Sequence, residues 1–220
     1  MPLLHLAASK GDLKTVKRIL EKKEFQIESL DDSQKTPLHH AALNGHKDIV
    51  NLLLENQAEI DSLDEWNDTP LHHAVEKGHI DIVKLLLENQ SNINAINAWK
   101  KWTPLHYASE NGHTDILKIL LEKTTDFQPL DNWKRTPIDL AINGGYFEIV
   151  KLLHYKNNNK TVENHQIDMH KVLLEHETAV YPLDKKYWTP LHWAAQFGHL
   201  ETVKLLLQNA IVQGISSQTV

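Results

Sequence analysis

The chain has 220 residues and no cysteine, so it can hold neither a disulfide framework nor a thiolate metal site. Its 23 basic and 29 acidic residues leave a net charge of −6, which disfavours bulk DNA or an anionic membrane as the main partner. No apolar stretch is long enough to cross a membrane, and the first residues lack the basic and apolar segments of a secretory signal. We therefore expect a globular protein of the cytoplasm.

The first predicted element is a short helix near the start of the chain. It contains the sequence Leu-His-Leu-Ala at residues 4–7, and Gly11 is suited to end it because glycine adopts a positive φ without strain. The helix that follows is rich in lysine and arginine, for example at Lys14 and Lys17. A polar outer face of this kind is typical of a terminal repeat in a stacked array.

Residues 36–68 contain the first complete unit. Thr36 is suited to cap a helix, and Pro37 fits the first helical position, where a missing N–H has no cost. Gly45 is expected to end this helix, and a strongly apolar second helix begins near Asp48. A polar segment follows, which suits an extended loop or hairpin. Neither helix is long enough to be stable alone, so the unit must bury its apolar face on its neighbours.

The same unit recurs along the rest of the chain. Threonine–proline pairs place prolines at intervals of 33, 34, 33 and 53 residues, at Pro37, Pro70, Pro104, Pro137 and Pro190. Six glycines recur in step with them, at Gly11, Gly45, Gly78, Gly112, Gly145 and Gly198. A period of about 33 residues indicates a stack of repeats and not one closed core.

The start of each unit resembles the Thr-Pro-Leu-His-x-Ala motif of the ankyrin-repeat family. The motif is TPLHHA at 36–41 and 69–74, TPLHYA at 103–108 and TPLHWA at 189–194, while TPIDLA at 136–141 departs from it. The resemblance implies an all-α solenoid in which each repeat has two helices and a hairpin loop. The six repeats would span approximately residues 2–34, 35–67, 68–101, 102–134, 135–156 and 188–213.

One interval is 20 residues longer than a repeat. Within it, residues 168–176 resemble the second helix of the fourth repeat, which begins near Asp115. We therefore predict a 20-residue helical insertion, or half-repeat, within residues 157–187, with a helix from about Thr161 to His176. Two interpretations remain open: a surface insertion that the fold tolerates, since long loops cost little, or a lid or recognition element.

The sequence contains no nucleophile-elbow, zinc-protease or phosphate-loop motif, so we expect neither catalysis nor a cofactor. Its 15 histidines recur mainly at two repeat positions, which spreads them along a line and prevents them from converging on one metal ion. The resemblance implies that both positions form framework hydrogen bonds. His40 and His73 lie next to one of these positions, and we consider a pH-sensitive contact there.

The six tryptophans are the main candidates for function. None lies in a predicted second helix, where bulky side chains would be needed for the core. In the ankyrin family the hairpin tips and inner helices form a concave binding surface, and tryptophan is enriched at interface hot spots. The predicted contact residues are Trp66, Trp99, Trp102, Trp133 and Trp188, with charge supplied by Lys100, Lys101, Lys134, Arg135 and Lys186. The competing interpretation is that each ring packs on a neighbouring hairpin.

The expected partner is a protein, bound by a monomer without catalysis. Charge on the loops changes along the chain, from −5 over residues 59–69 to +2 over residues 92–103, and would orient a partner of opposite gradient. Nucleic acid is disfavoured, although residues 99–102 resemble sites where bases stack on tryptophan, so an oligonucleotide or small-ligand sensor remains the alternative. Frequent asparagine, lysine and isoleucine suggest an AT-rich genome and hence an effector acting in a host cytoplasm.

Deleting residues 157–177 is expected to leave the first four repeats folded. Each repeat of a solenoid contacts only its neighbours, so stability is close to a sum of nearest-neighbour terms. Circular dichroism and thermal unfolding of the deletion variant test this expectation. Loss of the cooperative transition would contradict it.

Overall fold

The computed structural model describes residues 2–22 and 27–157, together with residues 195, 203 and 204. In the two long ranges the fold is all-α and consists of ten helices. They are α1 (Leu3–Lys10), α2 (Leu13–Glu21), α3 (Pro37–Leu43), α4 (Lys47–Glu55), α5 (Pro70–Glu76), α6 (Ile80–Glu88), α7 (Pro104–Glu110), α8 (Thr114–Lys123), α9 (Pro137–Gly144) and α10 (Phe147–Asn157). The predicted all-α repeat solenoid is confirmed.

The helices lie in two stacked rows. The inner helices α1, α3, α5, α7 and α9 each pack on the next of their row, and the outer helices α2, α4, α6, α8 and α10 do the same. Each inner helix also packs on the outer helix that follows it in the chain. The core fills the space between the rows, with fully buried leucines such as Leu38, Leu53, Leu71 and Leu86. Burial is thus shared between units, as the short helices require.

The motif sequence explains where the inner helices begin. Thr36 is the N-cap of α3 in a capping box with His39, and Pro37 occupies the first helical position. The His39 ring completes the cap because its Nδ1 accepts the backbone N–H of Thr36 at 3.1 Å. Thr69 and Thr103 begin α5 and α7 in the same way. At the fifth unit Asp139 replaces the histidine, and its Oδ2 accepts the Thr136 N–H at 2.7 Å.

The other nitrogen of each motif histidine joins one repeat to the next. His39 Nε2 donates to the Asp68 carbonyl at 3.0 Å, and His72 Nε2 donates to the Trp102 carbonyl at 3.3 Å. One nitrogen accepts while the other donates, so these rings are neutral imidazoles. Asp139 reproduces the cap, but an ionised carboxylate has no second N–H to donate.

The second recurring histidine, which follows the glycine at the end of each inner helix, bonds to the preceding repeat. His46 Nε2 donates to the Ser9 carbonyl at 2.9 Å, and His79 Nε2 donates to the Leu43 carbonyl at 3.1 Å. Gly45 lies under the His79 ring with a φ of +82°, and a Cβ there would stand 2.8 Å from the ring. Glycine is therefore required twice over, by the backbone conformation and by the close approach of the next repeat. The framework role expected for both histidine positions is confirmed.

Some predictions concern residues that lie outside this description. They include the helical insertion of 157–187 beyond Asn157, the sixth repeat apart from the three isolated residues, and the candidate contacts Lys186 and Trp188. The count of six repeats and their exact boundaries stay predictions. Among the described helices, none is both long and apolar enough to cross a bilayer.

Unfolding free energy is expected to fall as the pH drops from about 6.5 toward 4. Burial lowers the pKa of His39 and His106 to about 4 and that of His72 to about 3. In the unfolded chain the pKa of each histidine is near 6.5. At pH values between the folded and the unfolded pKa, the unfolded state therefore binds more protons than the folded state. Each such histidine then contributes a slope of about 1.4 kcal/mol per pH unit.

Urea unfolding at a series of pH values measures this slope, with His72→Asn as the comparison. The variant removes one titrating group, so its stability should depend less steeply on pH in this window. Equal stability of the natural chain at pH 7 and pH 4.5 would contradict the assignment of neutral, buried imidazoles.

Candidate partner-binding surface

A side-chain oxygen shapes each of the four described hairpin tips. We call residues 31–36, 64–69, 97–103 and 131–136 the first to fourth tips. In the second tip Asp64 Oδ1 accepts the backbone N–H groups of Trp66 and Asp68, each at 2.9 Å. The corresponding oxygens of Asp31, Asn97 and Asp131 make equivalent pairs of bonds. The backbone of every tip is therefore fixed before any partner arrives.

Single backbone hydrogen bonds connect the tips into one edge. The N–H of Glu65 donates to the Ser33 carbonyl at 3.1 Å, and the N–H of Ala98 donates to the Trp66 carbonyl at 2.8 Å. A third bond runs from the Asn132 N–H to the Lys100 carbonyl at 2.9 Å. Residues at the same position of successive tips consequently lie next to one another along the edge.

Three of the predicted contact tryptophans occupy the tip apices and are exposed. The exposed fractions are 50% for Trp66, 61% for Trp99 and 56% for Trp133, and we call these three residues the tip tryptophans. The Trp66 and Trp99 ring centroids are 6.1 Å apart, and the Arg135 guanidinium lies 4.9 Å from the Trp133 ring. All three rings are thus accessible to a partner, while their contact with one stays a prediction.

Trp102, which was also among the predicted contact residues, is buried. Only 3% of this residue is exposed, because its ring stacks on His106 and meets Tyr107 edge to face at 5.1 Å. Its Nε1 also donates to Asp131 Oδ2 in the next tip at 3.2 Å. Trp99 occupies the same position after Asn97 that Trp66 and Trp133 occupy in their own tips. Trp102 instead directly precedes Thr103, the N-cap of α7. It stabilises the junction and is not a surface contact.

The burial of Trp102 also changes the interpretation of residues 99–102. The Lys100 ammonium lies 3.8 Å from the centre of the Trp102 ring and 5.1 Å from that of Trp99. Two open rings that could clamp a base between them are therefore not formed here. Of the other predicted cations, Lys101 and Lys134 are exposed at positive φ, and Arg135 Nη2 forms an ion pair with Asp131 Oδ2 at 2.8 Å.

Much of the negative charge assigned to the second tip is neutralised internally. Asp64 is 1% exposed, and its Oδ2 lies 2.9 Å from both Lys35 Nζ and His73 Nε2. Burial alone would raise the pKa of Asp64, but these two donors outweigh burial and hold the pKa far below its usual range. Asp68 is also buried and accepts the Tyr107 hydroxyl at 3.0 Å. The count of −5 therefore overstates the charge that a partner would meet.

His40 and His73, where we considered a pH-sensitive contact, each lie against an aspartate of a tip; the pH sensitivity itself stays a prediction. His40 Nε2 lies 2.7 Å from Asp31 Oδ2, as His73 Nε2 lies 2.9 Å from Asp64 Oδ2. Burial alone would lower the pKa of His73, but its contacts with Asp64 and Glu76 outweigh burial and raise it. Within residues 2–22 and 27–157, no three histidine, aspartate or glutamate side chains meet in a way that could hold a metal ion.

An exposed aliphatic row lies beside the tryptophans and was not predicted. Each member directly precedes the first residue of a tip, and each is at least half exposed: Leu30, Leu63, Ile96 and Leu130. The spacing of 33, 33 and 34 residues was visible in the sequence. From the sequence, a single aliphatic residue is predicted to lie in the core. The structure shows that this position is exposed to solvent.

Trp102→Ala is expected to lower the unfolding free energy by about 3 to 5 kcal/mol, the usual cost of truncating a buried large aromatic residue. Trp99→Ala, only three residues away, is expected to cost little because the ring is mostly exposed. Thermal and urea unfolding of the two variants compare them directly. Similar losses in both, or a larger loss for Trp99→Ala, would contradict this division of roles.

Comparisons with known proteins agree with the observed repeats. A sequence model described as "Ankyrin repeats (3 copies)" matches residues 4–97, 91–164 and 160–216. The human ankyrin repeat domain-containing protein 7 is 47% identical over 51 residues, which cover 23% of this chain and 20% of that protein. The human ankyrin repeat domain-containing protein 49 is 46% identical over 52 residues, covering 24% of this chain and 22% of that protein. The matches thus span about a fifth of each relative.

Proposed function

Since this chain belongs to the ankyrin-repeat family, whose repeats are generally non-catalytic modules for binding other proteins, we propose that it binds a protein partner through its hairpin tips. The observation that carries the proposal is the row of exposed tip tryptophans, Trp66, Trp99 and Trp133. Large exposed apolar patches are uncommon on monomers and often mark interaction sites. A row of three tryptophans on adjacent tips is a patch of this kind.

The fixed backbone of the tips supports this function. The oxygens of Asp64, Asn97 and Asp131 hold the tip backbones, and backbone bonds connect neighbouring tips. Binding therefore does not have to order these loops, which reduces its entropic cost. The exposed aliphatic row of Leu63, Ile96 and the equivalent residues adds apolar area beside the rings.

The cations beside the tryptophans complete the proposed surface. Lys101 and Lys134 are exposed, while Lys100 and Arg135 lie over tryptophan rings. We include Lys186 and Trp188 in the proposal on their sequence positions alone. We also propose that the protein acts as a monomer in a cytoplasm, as an adaptor or effector. The effector role is inferred from the frequent asparagine, lysine and isoleucine in the sequence.

An oligonucleotide sensor is the weaker alternative. Trp99 offers one exposed face beside Lys100 and Lys101, which could stack a single base. The second ring that this alternative required, Trp102, is buried against His106. A protein surface, by contrast, could use the tip tryptophans and the aliphatic row together.

The test is capture of a partner by the natural chain and by the triple variant W66A/W99A/W133A. Loss of a central anchor such as Trp99 or Trp133 is expected to weaken binding by about 2 kcal/mol or more. Unfolding measurements on the same samples must show that the variant stays folded. Tyr146→Ala is the control, since it truncates an exposed aromatic residue between α9 and α10, outside the four tips.

Two results would count against the proposal. Undiminished capture by the folded triple variant would remove the tip tryptophans from the interface. Large drops in melting temperature for all three single variants would instead make these rings structural, with binding lost only through unfolding.

A further inference from the structure

We propose that the partner presents an acidic polypeptide segment, with glutamate or aspartate next to apolar side chains, to the third and fourth tips. This inference rests on the proposed function and specifies the chemistry of the partner at that same surface. It follows from which charges of the tips face solvent and which are neutralised inside the fold.

The third and fourth tips together present positive charge. Residues 97–103 contain two lysines and no acidic residue, and residues 131–136 contain Lys134, Arg135 and a single acid, Asp131. Asp131 is buried, and its Oδ2 accepts from Arg135 Nε at 2.9 Å and from Trp102 Nε1 at 3.2 Å. Its charge is therefore matched internally, and the charges left on the surface of these two tips are ammonium groups.

The two exposed ammonium groups recur at one position of neighbouring tips. Lys101 and Lys134 both have a positive φ, 55° and 60°, and both are exposed. They follow Trp99 and Trp133 closely in the chain, so each of these tips combines an exposed ring with an exposed cation. A segment lying across both tips would meet this combination twice, which suits alternating apolar and acidic side chains.

The first and second tips have the opposite character. Their exposed charged residues are Asp32 and Glu65, since Lys35 is paired with the buried Asp64 at 2.9 Å. An acidic segment is thus attracted to the third and fourth tips and repelled from the first two. Complementarity of this kind fixes the position and direction of a partner more than it adds to affinity.

A polypeptide fits this surface better than a nucleic acid strand. The rings of Trp66 and Trp99 are 6.1 Å apart, so bases stacked along both would bring phosphates next to the exposed Glu65. The exposed aliphatic residues Ile96 and Leu130 also suit apolar side chains and offer nothing specific to a nucleotide. A binding oligonucleotide is accordingly one of the outcomes that would overturn the proposal.

Fluorescence anisotropy with three labelled probes tests this chemistry on the full chain. The probes are a twelve-residue peptide that combines glutamate with leucine and tryptophan, its counterpart with lysine in place of glutamate, and a twelve-nucleotide oligothymidylate. We expect the acidic peptide to bind at least about tenfold more tightly than the other two at low salt, and more weakly as salt is raised. Equal or tighter binding of either other probe overturns the proposal, as does no binding of the acidic peptide.

Matched charge reversals locate the effect on the tips. The variants K101E/K134E and K47E/K84E each change the net charge by −4, from −6 to −10, and all four lysines are exposed. Lys47 and Lys84 lie on the outer helices α4 and α6. The tip variant is expected to bind the acidic peptide at least about tenfold more weakly, and the outer variant within about twofold of the natural chain. Equal losses in both variants overturn the assignment to the tips.

The triple variant W66A/W99A/W133A separates this proposal from the proposed function. If a captured protein partner depends on these tryptophans but is indifferent to K101E/K134E and to salt, the protein-binding function stands and the acidic segment is excluded. If folded chains capture no partner that depends on the tryptophans, the proposed function itself fails.

Discussion

The structure depends on a neutral imidazole that connects one repeat to the next. His39 and His72 each accept a backbone N–H at their own helix cap and donate to a carbonyl of the following unit, Asp68 and Trp102 respectively. A protonated ring could not accept the backbone N–H, and water would compete for the hydrogen bonds of an exposed ring. The connection therefore requires a junction from which water is excluded. The stacking of short helices provides that junction, and the imidazoles in turn hold the stack in register. Neither feature would be stable without the other.

The same register places the tips. Because each unit repeats the position of the last, residues before the threonine–proline pair meet their counterparts on the next hairpin. Polar side chains use this proximity to build a buried network under the edge, as Lys35, Asp64 and His73 do. The rings at the apices then remain outside this network. The stacking of the repeats thus makes the base of each tip rigid and leaves the apolar rings at its apex exposed. A preformed interface requires both properties.

Sequence alone was sufficient for the framework because its residues are required by local chemistry. A threonine cap, a proline at the first helical turn and a glycine at positive φ each identify one position, and their period gives the fold. The tips were less predictable. Trp99 and Trp102 lie three residues apart in one tip, yet the first ring is exposed and the second is buried on His106 and Tyr107. The pairing of Asp64 with His73 and the exposure of Leu63 depend on contacts between tip and helix that no local pattern encodes.

The contacts between repeats fall into two kinds with different evolutionary consequences. Histidines such as His46 and His79 bond to main-chain carbonyls, which every residue type possesses, so these junctions accept any neighbour with the same backbone. These junctions would therefore form again after a unit is duplicated, lost or exchanged, without new matching side chains. The tips instead use side-chain pairs: Lys35 with Asp64, Tyr107 with Asp68, and Trp102 with Asp131. Each of these pairs requires one particular neighbour, so the first four tips are committed to their present order, together with helix residues such as Tyr107 that pair with them.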